Sequence, residues 1–191
     1  MAQFGANYPN FAPFQGDEPE AALPSYGDKV TLGKLVSANL TVNLASGELY
    51  ADDSLAEQVS EFASGTLAME TDDMTDDVAA VVYGATKATT PSTDKSLTYG
   101  KADTQPMGGL AYYKVLMRNG IKIFKGYFYP KVKAALGNDN AQTRGSSINF
   151  GTVSSTFTIF ACNTGAWRIT EEMTTEEAAK TWVNTKLGVT A

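Results

Sequence analysis

The stretch E-T-D-D-M-T-D-D-V, residues 70–78, sets five carboxylates (Glu70, Asp72, Asp73, Asp76 and Asp77) within eight residues. Carboxylates at this density can hold a divalent cation through oxygen ligands or exchange a proton as an acid–base pair, which would suit a carboxylate-based hydrolase. They can also open a helix. Val78, Val81, Val82 and Ala85 follow at i, i+3, i+4 and i+7, one apolar helical face. Thr75 then serves as N-cap, Asp76 and Asp77 fill the first turn, and Gly84 ends the helix. The positive end of the helix dipole favours carboxylates there by about 0.3–1 kcal/mol each. A helix over about 75–84 therefore accounts for the aspartates without chemistry.

Other chemistry is sparse. The chain has no histidine, the commonest general base and transition-metal ligand, and a single cysteine, Cys162. Ser-His-Asp and Cys-His constellations are excluded, as is a zinc site of the usual kind. Gly100-Lys101 lacks the upstream glycine and the following Ser/Thr of a phosphate-binding loop. G-N-D-N-A-Q-T (137–143) lacks the glycine and distal glutamate of an EF-hand loop. We expect no catalytic, cofactor-binding or metal-binding residue. The segment 110–133 is the second candidate. There Tyr112, Tyr113, Phe124, Tyr127 and Phe128 interleave with Lys114, Arg118, Lys122 and Lys125. On an open β-surface that mixture stacks bases and neutralises phosphates, giving a nucleic-acid-binding barrel. Alternation on a strand also predicts it with aromatics inward and lysines outward.

The elements that would position these residues are mostly of period two. K-L-V-S-A-N-L-T-V-N-L (34–44) alternates around Leu40, Val42 and Leu44, with a turn expected at Ser46-Gly47. Residues 57–71 alternate most clearly from Gly65. Asn119-Gly120 marks a type I′ hairpin inside 108–134. Residues 146–162 alternate with a slip at Gly151, then turn at Asn163-Thr164-Gly165 into 166–173. A C-terminal helix is expected over about 174–187, with a Thr174/Glu177 capping box and Gly188 closing it. Its Ala178, Ala179, Trp182, Val183 and Leu187 should face the sheet. With no helix between most strands, the fold class is mostly β, an antiparallel sandwich or small barrel with one flanking helix. Three parts are expected: an extended arm over 1–27, the β domain over 28–173, and a helical extension over 174–191. The arm holds four of the seven prolines and no periodicity, so it reads as lying outside the core and docking Phe4, Tyr8, Phe11 and Phe14 on a neighbour.

Hydrophobic content of 43% and charged content of 19% suit a folded soluble domain. No apolar run approaches the ~20 residues of a membrane helix, and M-A-Q-F-G-A-N-Y-P-N-F carries no secretory signal. A lone cysteine agrees with a reduced, cytoplasmic site of synthesis, where the Asn39-Leu40-Thr41 sequon has no role. The net charge of −6 is unevenly spread: residues 1–103 hold 16 acidic and 5 basic side chains, residues 104–191 hold 5 and 10. A chain acidic in one half and basic in the other can bind itself, head to tail.

Taken in order, G-E-L-Y-A-D-D-S-L-A-E (47–57), the helix ending in Y-G-A (83–85), the hairpin ending in F-K-G-Y-F-Y-P-K-V-K, T-R-G-S-S-I-N-F (143–150) and N-T-G-A-W (163–167) resemble the major tail (tail tube) proteins of long-tailed bacteriophages. The likeness covers about residues 30–170; the arm and the last helix fall outside it. It implies the fold shared by phage tail tubes and type VI secretion tubes, hexameric rings stacked into a tube, no enzymatic activity and no cofactor. It also implies a place in the virion tail, with tape measure, tail terminator and distal tail proteins as partners. DNA would pass through the lumen without specific binding, past a lumen face weighted to carboxylates.

Overall fold

The computed structural model describes residues 2–51, 54–88, 96–136 and 151–189. The first residues, 146–150, of the strand expected over 146–162 and the segment 137–143 lie outside the described residues. Ten strands and two helices follow in the order β1 (Ala2–Pro13), β2 (Val30–Thr31), β3 (Leu35–Ala51), β4 (Ser54–Thr71), α1 (Asp76–Tyr83), β5 (Thr86–Lys87), β6 (Leu97–Thr98), β7 (Met107–Arg118), β8 (Ile121–Ala135), β9 (Val153–Ile159), β10 (Ile169–Met173) and α2 (Glu176–Lys186). All pairings are antiparallel, and the main sheet runs β2-β1-β7-β8-β9-β4-β3, with β10 added to β8; β5 and β6 pair separately. The fold is mostly β, as the alternation requires.

Strand β8 forks the sheet. Along one edge its Phe124–Phe128 half pairs with β10, and its Val132–Ala135 half pairs with β9. Pro130 sits between, at a register shift against β7, where a residue without an N–H is tolerated. The sheet also curls. Phe11 of β1 and Phe157 of β9 are separated by β7 and β8 in sheet order, yet their ring centroids are 6.0 Å apart. Curling of this kind makes a half-closed barrel whose concave interior holds Phe11, Leu32, Leu67, Met69, Leu110, Tyr112, Tyr129 and Phe157.

Helix α1 covers that interior with Ala79, Val82 and Tyr83 buried and Val78 and Val81 partly so. Thr75 is the N-cap in extended conformation, without a side-chain capping bond, and Gly84 ends the helix at φ 71°. Helix α2 covers the opposite face, burying Ala179, Trp182, Val183 and Leu187. Two details of its expected start are corrected. Thr175, not Thr174, is the N-cap, its Oγ1 accepting from the Ala178 N–H at 3.2 Å; Ala178 is exposed. The C-terminal end is as expected: Gly188 takes φ 75°, its N–H donates to Thr185 O, and the Val189 N–H donates to Asn184 O, the paired bonds that satisfy a helix's last carbonyls. Trp182 covers Gly126, where an added Cβ would stand 2.5 Å from the indole.

The N-terminal segment departs furthest from expectation. Its first half is extended but is no free arm: β1 lies between β2 and β7, and Phe11 and Ala12 are fully buried in the two cores. Register shifts at Gly5 and across Tyr8–Pro9 accommodate residues that would break a regular strand. Tyr8 takes φ 60°. Residues 14–29 wrap the body, held by Phe14 N–H to Met107 O, Tyr26 Oη to Pro130 O and Lys131 Nζ to Glu18 at 2.5 Å.

Candidate assembly surface

The acidic cluster is built into a corner. The Lys34 N–H donates to Asp72 Oδ1 at 2.7 Å and the Asp72 N–H to Lys34 O at 3.0 Å, tying the start of β3 to the end of β4. Asp73 accepts from the Met74 N–H at 2.8 Å, and Asp77 pairs with Lys87. These bonds close the turn into α1, and the carboxylates diverge along it rather than face a common centre. Among the described residues no three His, Cys, Asp or Glu side chains converge to hold a metal ion.

The aromatic–basic hairpin forms as β7 and β8, with Asn119 at φ 51° and Gly120 at φ 79° making the type I′ turn. Its aromatics point mainly inward. Tyr112, Tyr113, Phe128 and Tyr129 are buried, which removes them as platforms for bases. Tyr113 donates to Glu176 of α2 at 2.8 Å and meets Phe124 edge-on. On the opposite face Tyr112 stacks between Tyr127 (5.4 Å) and Tyr129 (6.3 Å). Lys114 Nζ lies 5.9 and 5.2 Å above the rings of Tyr112 and Tyr127, and Arg168 covers Trp167 at 4.7 Å. Burial, with Arg168 nearby, lowers the Lys114 pKa. Burial likewise raises the hydroxyl pKa values of Tyr112, Tyr127 and Tyr129.

The surface that sequence reasoning missed is the outer half of β3 and β4. No turn forms at Ser46-Gly47; Ser46 pairs with Ser60 and Gly47 with Val59, and the strands run on to Ala51 and Ser54. Every side chain described from 41 to 61 is exposed, so these residues form a two-stranded ribbon standing off the body. It carries Val42, Leu44, Leu49, Tyr50, Leu55 and Val59 into solvent, 37–65% exposed. Its root is fixed where Phe62 stacks on Trp167 at 4.3 Å, nearly parallel. An isolated hairpin is marginal in water, and exposed apolar residues collected on one element mark an interaction surface. The signal available in the sequence was continued apolar spacing on both sides of Gly47, masked by the Ser-Gly pair. No protein-family profile matches the chain, and no curated protein matches it.

Proposed function

We propose that this chain is a self-assembling structural protein, whose copies join into hexameric rings that stack as the tail tube of a long-tailed bacteriophage. The observation that carries the reading is the ribbon: a long exposed hairpin with six large apolar side chains, unsupported by its own domain. Strand edges support it as well. Among the described strands β3 pairs only with β4, and β10 only with β8. Open edges such as these invite strands from neighbouring copies, and closing such edges into a ring removes an aggregation hazard. The segregated acidic and basic halves favour contact between copies, and the resemblance in order and spacing supplies the ring-and-tube geometry. In this reading the tube belongs to the virion, is assembled in the bacterial cytoplasm, meets tape measure, terminator and distal tail proteins, and passes DNA without binding it specifically.

The test is electron microscopy of the purified chain beside a variant in which residues 45–61 are replaced by Asn-Gly. That change keeps the Leu44–Phe62 cross-strand pair and removes residues whose described side chains are all exposed. The full chain should form six-fold rings or tubes, and the shortened one folded monomers. A full chain that stays monomeric at every concentration, or a ribbonless variant that still builds tubes, would refute the reading.

A further inference from the structure

The three-strand face made by β7, β8 and β10 carries a cation surplus that the described residues leave unmatched. Cross-strand register places Lys114 opposite Lys125, and Lys125 opposite Glu172. Arg118 lies on the same side of β7 as Lys114, and its guanidinium grips Glu172 at 3.0 and 3.1 Å, with Lys125 3.7 Å from the same carboxylate. Arg168 borders this strip beside the stacked tyrosines. Two of the four cations share one carboxylate, and among the described residues neither Lys114 nor Arg168 has an ion-pair partner. A partly buried ammonium without a counter-ion is a poor arrangement in isolation, and an arriving carboxylate corrects it.

The ribbon has the complementary composition. Residues 41–64 contain Glu48, Asp52, Asp53, Glu57 and Glu61 and no lysine or arginine. Within one chain the described glutamates of the ribbon form no ion pair. Pairing places Glu57 opposite Leu49, Val59 opposite Gly47 and Glu61 opposite Ala45, so one ribbon face presents two glutamates around an exposed valine. Glu57 and Glu61 are four residues apart on a strand, as are Lys114 and Arg118. At about 3.3 Å per residue both pairs span about 13 Å.

We propose that the Lys114–Arg118–Lys125–Arg168 strip is the seat for the acidic ribbon of a second copy of this chain, Glu57 and Glu61 meeting the cations while Val59 lies over the Leu116–Ile123 pair between Lys114 and Arg118. The proposal rests on the self-assembly reading and names its receiving surface. A nucleic-acid backbone is the competing occupant of a basic strip. It is disfavoured because Tyr112 and Tyr129 are buried and Lys114 covers Tyr112, so neither ring offers a face to a base.

Two variants test it, one altering exposed ribbon glutamates and the other an exposed and a half-buried arginine of the seat. One reverses the ribbon, Glu57→Lys with Glu61→Lys; the other reverses the seat, Arg118→Glu with Arg168→Glu. Each should melt as a folded domain yet polymerise at least about tenfold more slowly than the native chain, because like charges now face each other. An equimolar mixture should regain part of the native rate, since reversed ribbons meet seats in which two of the four cations are reversed and native ribbons fit native seats. Folded variants that polymerise normally, or a mixture that fails to recover, would overturn the seat. A native chain that never assembles would instead sink the self-assembly reading itself. Native protein that captures a fluorescent oligonucleotide, with capture lost in the Arg118/Arg168 variant, would reassign the strip to nucleic acid.

Discussion

Phe11→Ala separates two roles for the N-terminal strand. The ring is fully buried and meets Phe157 at 6.0 Å across the curled sheet, with Leu32 and Leu110 in the same core. Truncation removes the ring's transfer free energy and leaves a cavity that facing strands close only in part, so about 3–5 kcal/mol should be lost. A domain of this kind has about 5–15 kcal/mol in total, so the variant remains folded but weakened. With a urea slope near ~2 kcal/mol per M, the unfolding midpoint should drop by roughly 2 M at unchanged slope. Phe4→Ala is the control: that ring is 46% exposed and its loss should shift the midpoint little. Measurements belong at concentrations below assembly, where mass action from neighbours is absent. If Phe11→Ala left the unfolding curve of the monomer unchanged and only blocked polymerisation, β1 would be an arm that docks on another copy, and the placement of its aromatics described above would be wrong.

Gly126→Ala drives a methyl into the Trp182 ring, 2.5 Å away, and should cost about 1–3 kcal/mol through displacement of α2; indole fluorescence and a urea titration report it together. Burial pushes the Glu18 carboxyl up, but the Lys131 ammonium and the Asn163 N–H outweigh it and hold it below 4.5. Such a group stabilises the fold above its unfolded pKa, and the contribution disappears as pH falls through the folded value. Glu18→Gln should therefore lower the melting temperature at pH 7 and flatten its decline below about pH 4.5. Calorimetry that finds the pH profiles of the native chain and the Glu18→Gln variant parallel would rule this out. Asp76→Asn with Asp77→Asn should cost about 1–2 kcal/mol by weakening the charge at the start of α1; calorimetric titration showing tight Mg²⁺ or Ca²⁺ binding that this double variant loses would reverse the structural account of the cluster.

What could be read in advance was whatever local chemistry decides. Asn119-Gly120 made its turn because both residues tolerate positive φ. The alternation from Gly65 to Thr71 survived as burial alternation because one side of β4 faces the core. The aspartates before Val78 began a helix because apolar spacing and dipole agree. Elsewhere, nonlocal contacts won. β1 showed no period because its register shifts twice, and Pro9 is tolerated only because it falls in one of those shifts. Ser46-Gly47 carries turn chemistry, yet pairing with β4 on both sides overrides it. The seat was hidden for another reason. Arg168 and Lys114 are far apart in sequence, and only the β8–β10 pairing brings them to one face.

The joining of the two ends of the fold has a consequence for timing. Tyr8 donates its hydroxyl hydrogen to Asn184, 176 residues away, and Lys29 bonds the same pair. At about 5–20 residues per second, a ribosome takes roughly 10–35 s to deliver the second partner after the first. A hairpin such as β3–β4 closes within about microseconds of emerging. The ribbon is thus exposed on a nascent chain long before the seat, completed by β10, exists on that chain. Neighbouring nascent chains on one messenger would present identical ribbons to each other, with open edges and apolar side chains. Five carboxylates and no cation make two such ribbons repel. The same charges that direct the finished subunit to its partner would keep unfinished ones apart.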